Sequence, residues 1–318
     1  MSLPVEGDIG STVVDEPTQP FSRNLSVYIP MPDGVKIAAD IWLPEIANGV
    51  SKVPLLVEFT RYWRVVEGKA PKDRVHYFTQ RGFAYAMVDC RGSGASLGVR
   101  QSEFSVAEAS DFARVINWLA EQPWSNGSVV STGISYTANT AEIAMIDAPE
   151  ALKASIPRFS DFDLYTHVLF PGGLFNDYLK TWGESIYGMD INNTADIHPM
   201  WDDYRHRSVK PVDDDVDKVL FKQAVAEHQG NVRIQAILPP MVYRDDLNFA
   251  NGLGENEEHW LTPHLVQGNP RLRKVPSYHW ASFTDAGTAA GAIARFMATD
   301  APMRVIIGYW SHGAPPIG

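Results

Sequence analysis

Cysteine, excess positive charge and long apolar runs are all scarce in this sequence of 318 residues. A single cysteine, Cys90, excludes an internal disulfide and a thiolate metal cluster. The formal net charge is −11, whereas binding to nucleic acid requires a basic surface that displaces counterions from the phosphates. No stretch approaches the roughly 20 consecutive apolar residues of a membrane span. The sequence therefore excludes a disulfide scaffold and predicts neither a nucleic-acid partner nor a membrane anchor.

The composition is that of a protein with a large core. Hydrophobic residues make up 45% of the chain and aromatic residues 11%, which suits two domains or one large α/β core with an insertion. Residues 1–20 are polar and lack the basic and then apolar order of a secretory signal. We therefore expect a flexible leader at 1–20 and a soluble, cytoplasmic protein.

Strand and helix patterns alternate along the first half of the chain, and strands return near its end. Alternating apolar residues on both sides of a Pro-Asp-Gly turn predict a β-hairpin over 25–42. Continuous apolar runs typical of buried strands occur at 53–59, 83–89, 275–280 and 303–308. Helical patterns occur at 72–81, 106–121 and 138–146. This order predicts βαβ units and therefore an α/β fold with a mostly parallel sheet.

The stretch between the two groups of strands has a different character. From about residue 165 onwards strand patterns are absent, and tryptophans and tyrosines are scattered among polar residues. We interpret residues 165–270 as a helical cap inserted into the core, whose two parts are 21–164 and 271–318. Caps of this kind commonly control substrate choice.

Residues 124–138 contain the strongest signal for chemistry. An Asn-Gly turn is followed by a short apolar strand, by Ser135 between small residues, and by a helical pattern. This order is that of a nucleophile elbow, in which a strained turn exposes the serine. Gly133 fits the elbow pattern two residues before the serine, whereas Thr137 replaces the glycine expected two residues after it. By itself the pattern leaves open a serine in an ordinary surface turn.

Two further titratable residues follow strands in the order that a serine hydrolase requires. Asp285 follows the strand predicted at 275–280, and His312 lies on a glycine-flanked loop after the strand at 303–308. Open α/β sheets place their sites at such carboxyl ends, and α/β-hydrolases have the order nucleophile, acid, histidine. Ser135, Asp285 and His312 therefore form a predicted catalytic triad.

The sequence gives no pattern for a cofactor or a metal centre. The glycine-rich loop at 91–98 has its third glycine one residue late for dinucleotide binding, and it lacks the lysine of a P-loop. The acidic run at 213–217 lacks the glycine and the glutamate of a calcium loop. We interpret this run as a solvated acidic face or a helix start. His279, inside a predicted strand, is interpreted as structural, and Cys90 as a small residue at a strand end.

Stabilisation of the oxyanion that forms during acyl transfer needs hydrogen-bond donors beside the nucleophile. The backbone N–H of Tyr136, directly after Ser135, is one donor by position. The second normally comes from the loop after the third strand, where Tyr62 either supplies its hydroxyl or is an ordinary loop aromatic. Spacing alone does not decide between these roles. Trp182 and Phe283 are candidates for pocket walls, with ordinary packing as the alternative.

Seven blocks of the sequence together resemble the CocE/NonD acyl-hydrolase family, which is related to X-prolyl dipeptidyl peptidases. These blocks span nearly the whole chain and are 29–36, 60–62, 89–96, 122–127, 133–136, 171–173 and 307–313. The resemblance implies an α/β-hydrolase fold with a helical cap. It implies Ser135 as nucleophile, Asp285 as orienting acid and His312 as base. It also implies that the Tyr62 hydroxyl and the Tyr136 N–H are the oxyanion donors.

The chain departs from the family pattern at several places. The second glycine of the family elbow falls on Ala138, which keeps this position small. The family tends toward Gly-Trp-x-Asp at the acid, whereas residues 281–285 read Ala-Ser-Phe-Thr-Asp. Members that cleave α-amino-acid esters carry acidic residues directly after this aspartate, and Ala-Gly-Thr at 286–288 disfavours that substrate class. Relatives continue past the histidine into a closing helix and a jelly-roll domain that this chain lacks, so we expect it to be a piece of a longer protein.

We therefore expect a serine hydrolase that cleaves a carboxylic ester or a small amide through an acyl-enzyme, without a cofactor. The expected partner is a small-molecule substrate. The alternatives are an X-Pro dipeptidyl peptidase and a catalytically silent binding protein of the same fold.

Overall fold

A computed structural model describes residues 21–45, 51–195, 197–237 and 274–313. The leader predicted at 1–20 lies outside the described residues. The same holds for residues 238–270 of the predicted cap. The limits of the cap therefore stay a prediction.

The described strands form one sheet, whose members are β1 (Phe21–Pro30), β2 (Lys36–Pro44), β3 (Val53–Thr60), β4 (Ala84–Asp89), β5 (Ser125–Ile134), β6 (Leu152–Arg158), β7 (Ser277–Ser282) and β8 (Met303–Gly308). They lie in the order β1-β2-β4-β3-β5-β6-β7-β8. Strands β1, β2 and β4 are antiparallel neighbours, and all neighbours from β4 to β8 are parallel. The mostly parallel sheet predicted from the sequence is confirmed.

The described α-helices are α1 (Asp73–Thr79), α2 (Val106–Ala120), α3 (Tyr136–Ile143), α4 (Tyr178–Asp190), α5 (Val219–Glu227), α6 (Ile234–Ile237) and α7 (Thr288–Ala298). Short π or 3-10 turns add Tyr165–Leu169, Pro171–Gly173, Pro199–Trp201 and His228–Gly230. Between β6 and β7, the regular elements in the described chain are thus helices joined by turns and irregular segments, apart from an isolated bridge between Val66 and Val209. In the described part of the chain, no helix has the length and apolar character needed to cross a membrane.

The β1–β2 hairpin forms around the predicted turn. Tyr28 pairs with Ala38 across the two strands. The Asp33 carboxylate accepts a hydrogen bond from the Val35 N–H at 3.1 Å, and Gly34 adopts a φ of 89°. A side chain would strain the backbone at this φ, so glycine suits the position.

The core lies between the sheet and the helices that cover it. All six residues of β4 are buried, as expected for a strand with helices on both faces of its sheet. Phe112 of α2 stacks on Phe59 of β3 with ring centroids 4.2 Å apart. Burial of each ring contributes about 1.5–3 kcal/mol to stability. Helix α2 begins with a capping box, in which Ser105 and Glu108 each accept the other's backbone N–H.

Strand β6 is not predicted from the sequence. Lys153, Ser155 and Pro157 interrupt the apolar pattern that marks the neighbouring strands. The strand is stable because its buried polar atoms have partners. The Ser155 hydroxyl bonds the Ser131 hydroxyl at 2.9 Å and the Ala141 carbonyl at 3.0 Å. Strand β6 pairs in parallel with both β5 and β7, so its carboxyl end lies between theirs.

Candidate active site

Ser135 lies between β5 and α3 in a strained backbone conformation, with φ 62° and ψ −128°. A non-glycine residue in a rarely populated region costs on the order of 1–3 kcal/mol and persists only where its surroundings enforce it. The Ser135 N–H donates to the Arg158 carbonyl of β6 at 3.0 Å. Its carbonyl accepts from Ala138 and Asn139 at 2.9 and 3.1 Å. The elbow predicted for this serine is therefore present in the fold.

The side chains around the elbow explain which of its positions needs glycine. A Cβ on Gly133 would lie 2.1 Å from the Thr137 carbonyl oxygen, a distance that no side chain tolerates. The Thr137 hydroxyl accepts from the Ile134 N–H at 2.8 Å and donates to the Ile134 carbonyl at 2.9 Å. Thr137 thus closes the turn with its side chain. Ala138, at the position of the second family glycine, is fully buried.

His312 and Asp285 form a direct hydrogen bond. His312 Nδ1 lies 2.8 Å from Asp285 Oδ2. Burial alone would lower the pKa of His312, but the hydrogen bond and the charge of Asp285 raise it. The Thr288 hydroxyl also donates to Asp285 Oδ2 at 3.2 Å, which fixes the carboxylate. With Nδ1 held by Asp285, the second ring nitrogen of His312 is not engaged by this carboxylate.

The loop that carries His312 lies against the elbow. The His312 ring packs edge-on against Phe159, with ring centroids 5.6 Å apart, and Phe159 directly follows the acceptor of the Ser135 N–H. A Cβ on Gly313 would lie 3.2 Å from the Ile134 side chain. Ser135 and His312 do not form a direct hydrogen bond in this structure. Such bonds are often long without substrate and tighten in the complex.

Tyr62 and Tyr136 lie together beside Ser135. Their rings meet edge-on with centroids 5.7 Å apart. Tyr136 is the first residue of α3, where backbone N–H groups have no acceptor within the helix. The Tyr62 hydroxyl accepts a hydrogen bond from Trp182 Nε1 at 2.9 Å. Both predicted oxyanion donors are therefore neighbours of Ser135.

A mainly apolar pocket opens at Ser135. Its lining is formed by Tyr62, Glu103, Phe104, Ser135, Tyr136, Asn139, Asp161, Leu164, Val168, Leu169, Tyr178, Leu179, Trp182 and Ile234. Trp182 thus lines the pocket, as one of its two predicted roles requires. The structure does not bring Phe283 into this pocket. The Phe283 side chain is 67% exposed, and its backbone N–H bonds the Gly308 carbonyl at 3.0 Å.

Asp161 is a pocket residue that is not predicted from the sequence. It follows β6 and is held by Asn139, which donates to Asp161 Oδ2 at 3.3 Å and accepts the Asp161 N–H at 2.9 Å. Burial raises the pKa of Asp161 to about 6. The signal that could have identified it is its place just after a strand of the parallel sheet, at the same edge as Ser135 and Asp285.

Other residues singled out by the sequence have structural roles. The Asp215 carboxylate accepts the N–H groups of Leu220 and Phe221 at 3.1 and 2.7 Å, so the acidic run is a helix start. His279 is buried, and burial lowers its pKa well below the usual range. Burial likewise raises the pKa of the Cys90 thiol, which disfavours a thiolate nucleophile.

The glycine-rich loop binds a carboxylate of its own chain. Asp89 Oδ2 accepts the Ala95 N–H at 2.9 Å, and a Cβ on Gly94 would lie 2.2 Å from the same oxygen. The loop therefore closes over Asp89. Among the residues that the structure describes, no group of three or more His, Cys, Asp or Glu side chains could hold a metal ion.

Comparison with known families gives a match across this site. The family model described as X-Pro dipeptidyl-peptidase (S15 family) matches residues 33–314, which include Ser135, Asp285 and His312. The chain belongs to this family. Proteins similar to this chain include cocaine esterase and a CocE/NonD family hydrolase, so the resemblance carried by the seven sequence blocks is confirmed.

The curated relatives of this S15-family chain carry esterase names. It is 32% identical over 323 residues to a Mycobacterium bovis protein provisionally named a serine esterase, and 28% identical over 308 residues to cocaine esterase from Rhodococcus. These matches cover 91% and 92% of this chain but 51% and 49% of the relatives. The chain therefore spans about half the length of the curated relatives it matches.

Solved structures share the fold. A CocE/NonD family hydrolase from Staphylococcus aureus superposes with a TM-score of 0.63 at 20% identity, covering 91% of this chain and 46% of the other. An α-amino acid ester hydrolase superposes with a TM-score of 0.58 at 20% identity, covering 98% and 52%. The α/β-hydrolase fold implied by the sequence is confirmed.

Proposed function

We propose that this protein is a serine hydrolase that cleaves carboxylic esters or small amides through an acyl-enzyme. The observation that carries the proposal is the His312–Asp285 hydrogen bond of 2.8 Å, formed by a loop that lies against the strained elbow of Ser135. A serine needs a base to accept its proton, and the base needs a carboxylate to orient it. These groups follow β5, β7 and β8 at one edge of the sheet.

The residues act in two half-reactions. Ser135 Oγ attacks the substrate carbonyl while His312 Nε2 accepts the serine proton, and Asp285 stabilises the imidazolium. The imidazolium then gives this proton to the leaving alcohol or amine as the bond to the acyl carbon breaks. Water attacks the resulting acyl-serine, with His312 accepting a proton from the water and returning it to Ser135. The products are a carboxylic acid and an alcohol or amine.

The Tyr62 hydroxyl and the Tyr136 backbone N–H stabilise the negative charge on the carbonyl oxygen in both half-reactions. Burial raises the pKa of Tyr62, so its hydroxyl stays protonated and remains a donor at any physiological pH. Removal of one oxyanion donor commonly costs about 10²–10³ in kcat. Tyr62→Phe is expected to fall in this range.

The pocket favours esters with an apolar acyl group. Aliphatic side chains such as Leu164, Leu169 and Ile234 form much of its lining. The esterase names of the curated relatives support the same substrate class. The second candidate function is release of X-Pro dipeptides from peptide substrates, because the chain belongs to the S15 family. The Asp161 carboxylate in the pocket would bind the amino group of such a peptide.

Hydrolysis rates of two chromogenic substrates separate these functions. The 318-residue chain is expected to hydrolyse p-nitrophenyl butyrate, and Ser135→Ala is expected to lose nearly all of this turnover while it folds normally. Faster hydrolysis of glycyl-proline p-nitroanilide than of the ester would favour the peptidase. No turnover of either substrate by wild type would favour a catalytically silent protein. Turnover retained in Ser135→Ala would place the nucleophile elsewhere.

A further inference from the structure

Three consecutive residues of the loop after β3 are bound by one helix of the cap region. Arg61 Nη2 donates to Asp190 Oδ2 at 3.2 Å. Tyr62 Oη accepts from Trp182 Nε1 at 2.9 Å. Trp63 Nε1 donates to the Met189 carbonyl at 3.2 Å. All three partners belong to α4, so this helix holds the loop that carries the Tyr62 hydroxyl.

The Trp182–Tyr62 hydrogen bond fixes how the phenol can act. A phenolic hydroxyl has one proton and can accept as well as donate. Because an indole N–H is only a donor, Tyr62 must be the acceptor in this pair. Its own proton is then available for a substrate oxygen. Donation by Trp182 also acts against the rise in the Tyr62 pKa that burial causes, which makes the hydroxyl a stronger donor.

Arg61 packs over the face of the Trp182 indole and restricts its position. The guanidinium lies 5.1 Å from the centroid of the Trp182 ring and 5.6 Å from that of Tyr136. It is fully buried and also paired with Glu103, so it cannot move away without leaving buried charges unpaired. The cation thus restricts both the indole and the ring that follows the nucleophile.

Helix α4 is itself tied to the core at its C-terminal end. The Asp190 carboxylate that binds Arg61 also pairs with Arg100 and accepts Asn231 Nδ2 at 3.1 Å. The His228 ring bridges the Asp190 carbonyl and the Ser96 carbonyl at 2.8 and 2.7 Å. These buried contacts hold α4 in place, and α4 in turn holds the loop that carries Tyr62.

We propose that α4, through the Trp182 N–H, positions the Tyr62 hydroxyl as an oxyanion donor. Trp182 is then a positioning residue and more than a pocket wall. This role rests on the proposed function, because it acts only through the oxyanion donor. If Trp182 served packing alone, the loss of its N–H would leave kcat unchanged once the ring shape was kept.

The test removes the N–H and keeps an aromatic ring. Trp182→Phe is expected to lower kcat for p-nitrophenyl butyrate about 5- to 10-fold, the factor of one hydrogen bond, with KM changed less than twofold. Replacement of Trp182 by β-(3-benzothienyl)alanine exchanges the N–H for sulfur and keeps the bicyclic shape, so it should give the same loss without a packing change. Trp118→Phe is the matched control, since Trp118 lies on α2 and does not line the pocket, and it should keep wild-type kcat.

A double-mutant cycle decides between positioning and packing. In a Tyr62→Phe background, the Trp182 substitutions should cause no further loss of kcat, because the hydroxyl they orient is gone. The same fold loss in both backgrounds, or wild-type kcat in the benzothienyl variant, would overturn the proposal. Wild-type kcat in Tyr62→Phe would overturn it as well, while leaving Ser135 as nucleophile. Full turnover in Ser135→Ala would instead overturn the proposed function itself.

Discussion

Ser135 keeps its positive φ because hydrogen bonds hold the backbone on both sides of the turn. Its own N–H is held by Arg158 of β6, and the Thr137 hydroxyl holds both backbone groups of Ile134. A serine on such a turn projects its hydroxyl away from the sheet, where a base can reach it. At the scale of single residues, Thr137 is therefore as much a part of the elbow as Gly133.

Removal of the Thr137 hydroxyl should destabilise the elbow. Thr137→Val keeps the size of the side chain but leaves the partly buried Ile134 N–H without its acceptor, which should lower the free energy of unfolding by about 1 kcal/mol. Urea unfolding measures this loss. Thr137→Ser, the matched control, retains the hydroxyl and should stay closer to wild type. Equal stability of the two variants would show that the hydrogen bonds do not support the turn.

The pH dependence of turnover should depend on the carboxylates around His312, because their charges raise its pKa. In the proposed mechanism His312 acts as a neutral base, so kcat/KM should fall as pH drops through its pKa, which is raised above the usual value. The charge of Asp161 contributes to this rise. Asp161→Asn removes that charge, so the His312 pKa should fall and the acid limb of the pH profile should move to lower pH.

The matched control for this shift is Asp177→Asn, which removes an exposed carboxylate and should leave the acid limb in place. An acid limb that stays fixed or moves to higher pH in Asp161→Asn would contradict the account. Because Asp161 itself has a pKa of about 6, the midpoint measured in wild type belongs to the coupled groups together.

The site residues differ in how far the sequence predicts them. Ser135, Asp285 and His312 are predicted because each follows a strong strand pattern and their order along the chain is diagnostic. Tyr62 needed the family resemblance, since one aromatic in a loop has no pattern of its own. The Trp182–Tyr62 contact joins residues 120 positions apart, and no local periodicity encodes such a pair.

At the scale of elements, β6 shows why a strand can be missed. A buried strand is recognised by a continuous apolar run, and β6 instead satisfies its polar residues through partners on β5 and α3. Those partners are known only once the fold is known. Missing β6 also hid Asp161, because its significance depends on following a strand end.

A buried ion pair joins helices α3 and α7, and substitutions can measure its contribution to the free energy of unfolding. Arg295 binds both oxygens of Glu142 at 2.6 and 2.8 Å, and both side chains are buried. Glu142→Leu leaves the guanidinium buried without its partner, which should cost about 3–5 kcal/mol of unfolding free energy. Glu142→Leu with Arg295→Met removes both charges and should be more stable than Glu142→Leu alone in denaturant unfolding. A double variant less stable than the single variant would contradict this assignment.

At the scale of the whole molecule, the residues of the proposed site all follow strands at one edge of the sheet. Tyr62 follows β3, Ser135 follows β5, Asp161 follows β6, Asp285 follows β7 and His312 follows β8. These five strands are consecutive neighbours in the sheet. A parallel sheet brings the carboxyl ends of its strands to the same edge, so residues far apart in sequence meet there. The mostly parallel sheet was predictable from the alternation of strands and helices, and the proposed triad was inferred from the same pattern of strand ends.

The chain spans about half the length of its curated relatives, and the described residues contain every group of the proposed mechanism. The proposed function therefore requires that Ser135 of this chain is a nucleophile activated by His312. A catalytic serine of this kind reacts with fluorophosphonates because its activated hydroxyl attacks phosphorus and is phosphonylated as fluoride leaves, whereas an ordinary surface serine does not react.

The most direct measurement is peptide mass spectrometry of the 318-residue chain after reaction with a fluorophosphonate. We expect one covalent adduct, on the peptide that contains Ser135. This adduct should be absent in Ser135→Ala and should form much more slowly in His312→Ala. An adduct on another serine, or no adduct on folded protein, would contradict this expectation.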